Sequence, residues 1–338
     1  MKATLKDIAA KTGFSITTVS RVLSGKGDIN RISTSTKDSI INTAKEYGYK
    51  SSLAKTKAIQ NDTTIGLIVP SVSNPYFSDI ASTVIKECRK YGYSTIVIDA
   101  DESSEMESRA VSLLTNNRVK GIIASPCGED PFVFESIRES IPVVLIDRYY
   151  PKSTLPYVTT NNYLGSYSAV NHLIRNQHTR IACIQGATNS APNVKRVSGY
   201  LSALEDAGIK DNAIVVGNEF SVQNGYIETK LLLESPNPPT AIYALSNTIM
   251  LGAIKAISEA KMRVPDDISL IAFDNQLFMD YLTPSITRVS QPIEEMGKLA
   301  TKLLIDSILT KKECLNQIEL APELIIRNSV GTNTASNT

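Results

Sequence analysis

Histidine is scarce in this chain of 338 residues: only His172 and His178 occur, six positions apart. That spacing makes no useful metal pair, and lone histidines are usually structural. The four cysteines (Cys88, Cys127, Cys183 and Cys314) lie far apart and form no Cys-x-x-Cys pair, so they read as reduced thiols, not as a disulfide or zinc site. No Gly-x-Ser-x-Gly elbow, Walker loop, Gly-x-Gly-x-x-Gly fingerprint or His-Glu-x-x-His pair is present. The commonest hydrolase, nucleotide-binding and metallopeptidase signatures are therefore missing, and no catalytic residue, metal or cofactor is expected. No apolar run approaches the roughly 18 residues of a membrane span. The start, Met1 to Asp7, has no apolar signal core. A cytoplasmic protein with no membrane partner is the expectation.

What is present is an ordinary globular composition, 42% hydrophobic and 20% charged, in a chain long enough for two or three domains. The net charge of +1 hides an asymmetry. Residues 1–60 carry 11 Lys/Arg and 4 Asp/Glu, a balance of +7, and the remainder carries 24 and 30, a balance of −6. A small basic head on a mildly acidic body suggests a polyanion-binding module joined to something else.

The pattern within the head sharpens this. Thr4 stands as an N-cap three residues before Asp7, and Leu5, Ile8 and Ala9 follow at i, i+3, i+4. Gly13 breaks the run, and Ser15 can cap a second short helix in which Val19, Val22 and Leu23 repeat the spacing. Gly25 and Gly27 end it. Ser33 can cap a third helix with Ile40, Ile41, Ala44 and Tyr47 facing inward and Gly48 at its end. Two short helices across a tight turn, braced by a third, form a helix-turn-helix. Ser15, Ile16, Thr17, Thr18, Ser20 and Arg21 give the second helix a small, polar outer face. Such a face suits base edges in the major groove, with an arginine fork for guanine. A three-helix protein-interaction bundle is the bland alternative.

The stretch Thr4-Leu5-Lys6-Asp7-Ile8-Ala9, then Gly13-Phe14-Ser15 and Thr18-Val19-Ser20-Arg21-Val22-Leu23, closely resembles the head of the lactose/galactose-repressor (LacI/GalR) family, as does Gly48-Tyr49. The resemblance implies base reading by Ile16, Thr17 and Arg21. It places Thr4, Ser15, Thr18, Ser20, Lys26 and Asn30 nearer the DNA backbone. It also implies a hinge over 51–62 that folds on DNA and contacts the minor groove through Ser52, Lys55 and Ala58. Two departures stand out: Ser51 replaces a usual proline, and Ala58 replaces the wedging leucine, with Ile59 just beyond.

Beyond residue 63 the chain alternates short β-rich runs with amphipathic helices. The runs at 65–69, 95–98, 121–124, 143–146, 181–184, 214–216, 241–244 and 268–273 are mostly Ile/Val-rich without alternation, as parallel strands covered on both faces require. The two halves repeat the same element order, which predicts an α/β body of two doubly wound parallel-sheet lobes behind an all-α head. Ligands in such sheets bind beyond the carboxyl ends of strands. Aromatic and polar residues concentrate there: Ser71, Tyr76 and Phe77; Asp147 and Arg148; Ser190, Lys195 and Arg196; Phe220; Ser246 and Asn247; Asp274; and Gln291. Any one of them has a bland reading as a helix cap, an ion-pair partner or core. Together they suggest stacking rings and paired hydrogen-bond groups suited to a sugar-like ligand. Arg148 or Lys195 is available as a cation for a sugar acid or phosphate.

The body carries further family-like stretches: Asn74-Pro75-Tyr76-Phe77, Asp147-Arg148, Arg196-Val197-Ser198-Gly199-Tyr200, Leu251-Gly252-Ala253 and Ala272-Phe273-Asp274. By this resemblance the fold is periplasmic-binding-protein-like. Arg196 and Asp274 become the principal effector contacts, with Tyr76, Phe77, Phe220, Asp147, Ser190 and Ser246 lining the pocket. Ser246-Asn247 replaces the Asn-Asp of many members, which points to a different ligand. The resemblance further implies a near lobe of 63–161 with 292–318, a far lobe of 162–289 and a polar tail after 330. It implies a homodimer built partly on the helix from about residue 80 to 91, and operator DNA as partner. Repression under a sugar, sugar acid or sugar phosphate is the expected function. The rivals are an enzyme, a transport-type binding protein and an intracellular sugar receptor with no role in gene control.

Overall fold

The computed structural model describes residues 3–23, 32–47, 49, 63–312 and 314–334, and the chain divides into two compact units, 1–63 and 64–338. The described residues of the first unit form three helices, α1 (Leu5–Thr12), α2 (Ile16–Leu23) and α3 (Thr34–Glu46). Local chemistry sets each start. The Thr4 backbone N–H donates to Asp7 Oδ2 at 2.8 Å while Asp7 N–H donates to Thr4 Oγ1 at 3.4 Å, a closed capping box. Thr18 N–H donates to Ser15 Oγ at 3.1 Å, and Thr36 N–H to Ser33 Oγ at 3.3 Å. Gly13, at φ +71°, ends α1 in the left-handed conformation that costs glycine little.

Ile8, Ala9, Val19, Val22, Ile40 and Ala44 make the core of this unit. Two expectations for α3 fail: Ile41 is 37% exposed and Tyr47 42%. Ile40 and Ala44, four apart, already define the buried stripe, and Ile41 lies a further 100° around the helix. Tyr47 is the C-cap, outside the helical register, and Tyr49 packs on the core in its place, its N–H bonded to Ala44 O at 2.9 Å.

The second unit begins β1 (Thr64–Val69), α4 (Pro75–Lys90), β2 (Ser94–Asp99), α5 (Ser104–Asn116), β3 (Gly121–Ala124), α6 (Phe132–Glu135), β4 (Val143–Ile146) and β5 (Tyr157–Thr160). It continues α7 (Asn162–Arg175), β6 (Ile181–Ile184), α8 (Ala191–Asp206), β7 (Ile214–Val216), α9 (Val222–Leu233), β8 (Ala241–Ala244), α10 (Asn247–Glu259), β9 (Ser269–Phe273), β10 (Thr287–Ser290), α11 (Ile293–Thr310), β11 (Gln317–Leu320) and β12 (Glu323–Ile325). Among the described residues these strands form two six-stranded sheets, ordered β11-β5-β4-β3-β1-β2 and β12-β10-β9-β8-β6-β7. All neighbours run parallel except β10 and β12.

The two orders are the same winding used twice. In each lobe the first strand lies between the second and third, so the chain reverses direction across the sheet at β1 and again at β6. The carboxyl ends of strands beside such a reversal are where α/β sheets open a crevice. Strands β3, β4, β6, β8 and β9 are buried at every position, because helices cover both faces. The chain passes from one lobe to the other after β5, after β10 and after β11. In the second lobe α9 and α10 approach backbone to backbone: a Cβ added at Gly225 would meet the Ile249 carbonyl, and one at Gly252 the Val222 carbonyl.

Candidate functional site

The head presents one face. Ser15, Ile16, Thr17, Ser20 and Arg21 are exposed, and Thr18 is partly so. Ile16 and Ser20 form one row along α2, with Thr17 and Arg21 in the next, each pair one helical turn apart. Val19 and Val22 anchor the opposite side in the core. Thr4 belongs to the α1 cap and is exposed. Lys26, Asn30, Ser52, Lys55 and Ala58 lie outside the described residues.

The second site lies between the lobes. Asn74, Tyr76, Phe77, Asp147, Arg148, Ser190, Pro192, Arg196, Phe220, Ser246 and Asp274 line an inner chamber of about 30 Å³. An outer chamber of about 510 Å³ adjoins it, with Arg148, Ser190 and Phe220 lining both. The inner volume holds about one water, whereas ligand pockets run to some hundreds of Å³, so the lobes are drawn together over their polar groups. Asn247 Nδ2 donates to Asn74 Oδ1 at 3.3 Å, Gln276 Nε2 to Asp79 Oδ2 at 3.2 Å, and Asn189 Nδ2 to Glu129 Oε1 at 2.7 Å; each bond spans the two lobes.

Each side chain is delivered by the turn after a strand. Asp147 follows β4 and Asp274 follows β9, both in left-handed backbone at φ +67° and +77°. Asp274 accepts from Asn247 N–H at 3.0 Å and from Gln291 Nε2 at 2.7 Å. Tyr76 Oη lies 2.7 Å from Asp147 Oδ1 and 3.1 Å from Gln291 Oε1, so one hydroxyl proton faces two acceptors. Burial pushes the Asp147 carboxyl up from its ordinary range, against the opposing pull of Arg196, the Tyr76 hydroxyl and Arg148. The same shift favours the protonated carboxyl, which would give this cluster a second proton to share. Tyr76 is likewise pushed well above its usual value, first by burial and then by Asp147, and stays a neutral phenol.

Arg196 is fixed on three sides. Its Nε donates to Asn162 Oδ1 and its Nη1 to Leu245 O, both at 2.7 Å, and its guanidinium lies 3.7 Å from the centre of the Phe273 ring. Arg148 is gripped in a bidentate pair by Glu102, at 2.6 and 2.8 Å, with its head 5.5 Å from the Phe77 ring centre. Phe220 lies against Gly186, where an added Cβ would overlap its ring. Ser246 caps α10, its Oγ accepting from Ile249 N–H at 3.2 Å, while also lining the chamber. Ser190 does the reverse. It occupies the N-cap position of α8, yet its buried Oγ makes no capping bond and has no partner among the described residues. That is the pattern of a hydroxyl kept for a ligand.

The inner chamber thus brings together nine of the residues singled out from the sequence, while Ser71, Lys195, Asn247 and Gln291 fall elsewhere. Ser71 does not line it; its hydroxyl pairs with Ser73 Oγ at 2.9 Å. Gln291 stands behind it, holding Asp274 and Tyr76. Lys195 is exposed, one step around the helix from Arg196, and lines neither chamber. Asn74, Pro192 and Glu102 were missed. Asn74 carried a signal in the Asn-Pro start of α4, an N-cap followed by a proline in the first turn. Glu102 carried none, because its partner is 46 residues away.

A helix-turn-helix head and a hinged two-lobed binding body define a DNA-binding transcription regulator of the ligand-responsive kind. The comparisons with known proteins agree. Residues 4–52 match the model for bacterial regulatory proteins of the lacI family, and residues 170–330 match a periplasmic binding protein-like domain. The chain is 32% identical over 335 residues to the HTH-type transcriptional regulator DegA of Bacillus subtilis, covering 97% of this chain and 98% of that protein. It is 34% identical over 337 residues to the HTH-type transcriptional repressor PurR of Erwinia tasmaniensis, covering 97% of each. Among solved structures, a LacI family transcriptional regulator from Enterococcus faecium with bound ribose superposes with a TM-score of 0.74 at 29% identity, covering 80% of this chain and all of that one. The chain belongs to the lacI family of bacterial regulatory proteins. No helix among the described residues is long and apolar enough to cross a membrane.

Proposed function

We propose that this regulator is a cytoplasmic, non-enzymatic repressor. It binds a pseudo-palindromic operator as a homodimer and releases or gains DNA affinity when a carbohydrate occupies the interlobe cleft. Ile16, Thr17 and Arg21 read bases, and the 51–62 segment is the hinge between the head and a body spanning 63–330. In the body, the strands of 63–161 with the 292–318 segment make the lobe nearer DNA, and 162–289 the far one, to which β12 (Glu323–Ile325) also belongs because it pairs with β10. The observation that carries the sugar reading is the cleft itself. Asp274, Asp147, Arg196 and the unpartnered Ser190 hydroxyl converge on one chamber with Phe77 and Phe220 as walls. Vicinal hydroxyls take paired donors and acceptors, and the C–H faces of a sugar ring take aromatic walls. The solved relative's bound ribose supports the same class.

Effector control follows from linkage. A ligand shifts the equilibrium only by its differential affinity for two lobe arrangements. The inner chamber, at about 30 Å³, is narrower than a sugar ring needs, so a carbohydrate seated among its polar groups favours a more open arrangement, and the hinge spacing would report that change. The test is a thermal-shift screen of the full chain against sugars, sugar acids, sugar phosphates and nucleobases. A stabilisation that grows with sugar concentration, about 2.7 kcal/mol at a hundred times Kd, is the expected result. A response to a nucleobase and to no sugar would contradict the sugar reading.

A further inference from the structure

Resting on the carbohydrate reading, we infer that this cleft selects a ligand without negative charge, a neutral or amino-bearing sugar, and rejects sugar acids and sugar phosphates. The argument is a balance of fixed charge. Of the described residues lining the two adjoining chambers, Arg148 and Arg196 are the cations, and Asp147, Asp274, Glu102, Glu129 and Glu219 are the carboxylates. The cleft therefore holds a net −3 before any ligand enters, and −2 if Asp147 carries its proton.

Both cations are already engaged by protein groups that an anion would have to compete with. Arg148 spends both terminal nitrogens on Glu102 and also reaches Pro126 O at 3.4 Å. Arg196 gives Nε to Asn162 and Nη1 to Leu245 O and lies on the Phe273 face, and the remaining donors meet a chamber already lined by two aspartates, Asp147 and Asp274. The exposed Lys195 does not reach in. The α8 N-terminus beside Ser190 contributes about half a positive charge, short of the deficit. A phosphate or carboxylate placed here would either break the Glu102–Arg148 pair, leaving a carboxylate unmatched, or sit among like charges. A hydroxyl meets no such cost, and an ammonium group would find Glu129 or Glu219 on the outer chamber's wall.

The experiment is isothermal titration of the full-length chain with matched sets built on several sugar scaffolds: the neutral sugar, its amino derivative, its uronate and its phosphate ester. On the scaffold that binds best, the neutral and amino forms should bind at least about tenfold more tightly than the two anions. Glu102→Gln, at a half-exposed position that tolerates an amide, releases Arg148 and should narrow that gap. Its melting temperature verifies folding. An anionic form binding as tightly as the neutral one would overturn the inference while leaving the carbohydrate reading intact. So would an unchanged gap in Glu102→Gln. Binding of no sugar of any charge would remove the carbohydrate reading and this inference together.

Discussion

Asp147 and Asp274 occupy the same place in the two lobes, each the first residue after the strand two positions beyond the reversal strand (β4 and β9), and each in left-handed backbone. They are joined across the cleft. Gln291 donates to Asp274 and faces Tyr76, and Tyr76 reaches Asp147. Gln291 lies on the connection from β10 to α11, one of the three passages between lobes. The two carboxylates are thus wired to a segment that joins the lobes, and under the proposed function this would couple ligand occupancy to lobe geometry.

Replacing Asp274 tests that coupling. Asp274→Asn keeps a residue that tolerates φ +77° but loses the charge and one acceptor. Effector-induced change in DNA affinity should disappear, with operator binding by the unliganded protein within about twofold of the parent, the usual spread for a change remote from the reading face. Fluorescence anisotropy with and without effector reads both; a normal effector response would remove Asp274 from the site.

On the head, Arg21→Ala should cost about 1–3 kcal/mol of operator binding and relax discrimination at one base pair. Competition between operator and random duplexes measures this. An equal loss on both would make Arg21 a phosphate contact and leave base reading to its neighbours.

The Gly186 position admits Phe220 because it has no side chain. Gly186→Ala should push that ring off the backbone and weaken effector binding by about 1–3 kcal/mol, the usual cost of overpacking, without altering DNA binding by the unliganded chain. Titration calorimetry on the variant decides it. Unchanged effector affinity would mean that the Phe220 wall carries no ligand contact.

Protonation gives a signed pH test. Burial raises the Asp147 carboxyl, so the folded state holds a proton that the unfolded chain releases earlier. Stability from this group is full below the unfolded pKa and is lost as pH rises through the folded one. Asp147→Asn mimics the protonated form and escapes that loss. The melting temperature of the variant relative to the parent should therefore increase from pH 5 to pH 8. A relative melting temperature that falls over the same interval would show an ionised Asp147 to be the stabilising form.

The head and the winding of the lobes were legible because their signals are local: caps, three-four spacing, unbroken β-branched runs, and the Gly13 stop. Where periodicity alone was used it overreached, as at Ile41 and Tyr47, since an apolar residue beside a buried stripe looks the same in sequence as one within it. The chamber's lining was legible as a set because strand ends bring such residues together in any sheet of this winding. Its electrostatics were not. Arg148 looked like a cation available for a ligand until Glu102 was found gripping it, and nothing in the intervening residues announces that pair. Ser190 and Ser246 are both N-cap serines in sequence, and only the structure separates the one that caps from the one that does not.

The most direct test of the whole account is a titration of the full-length chain against duplexes selected from a random pool, repeated with the carbohydrate that gives the largest thermal shift. The account predicts salt-sensitive binding to a two-fold symmetric sequence, and an affinity that changes about 5- to 150-fold when the sugar is added. Binding that ignores sequence, or that is the same with and without every stabilising sugar, would contradict it.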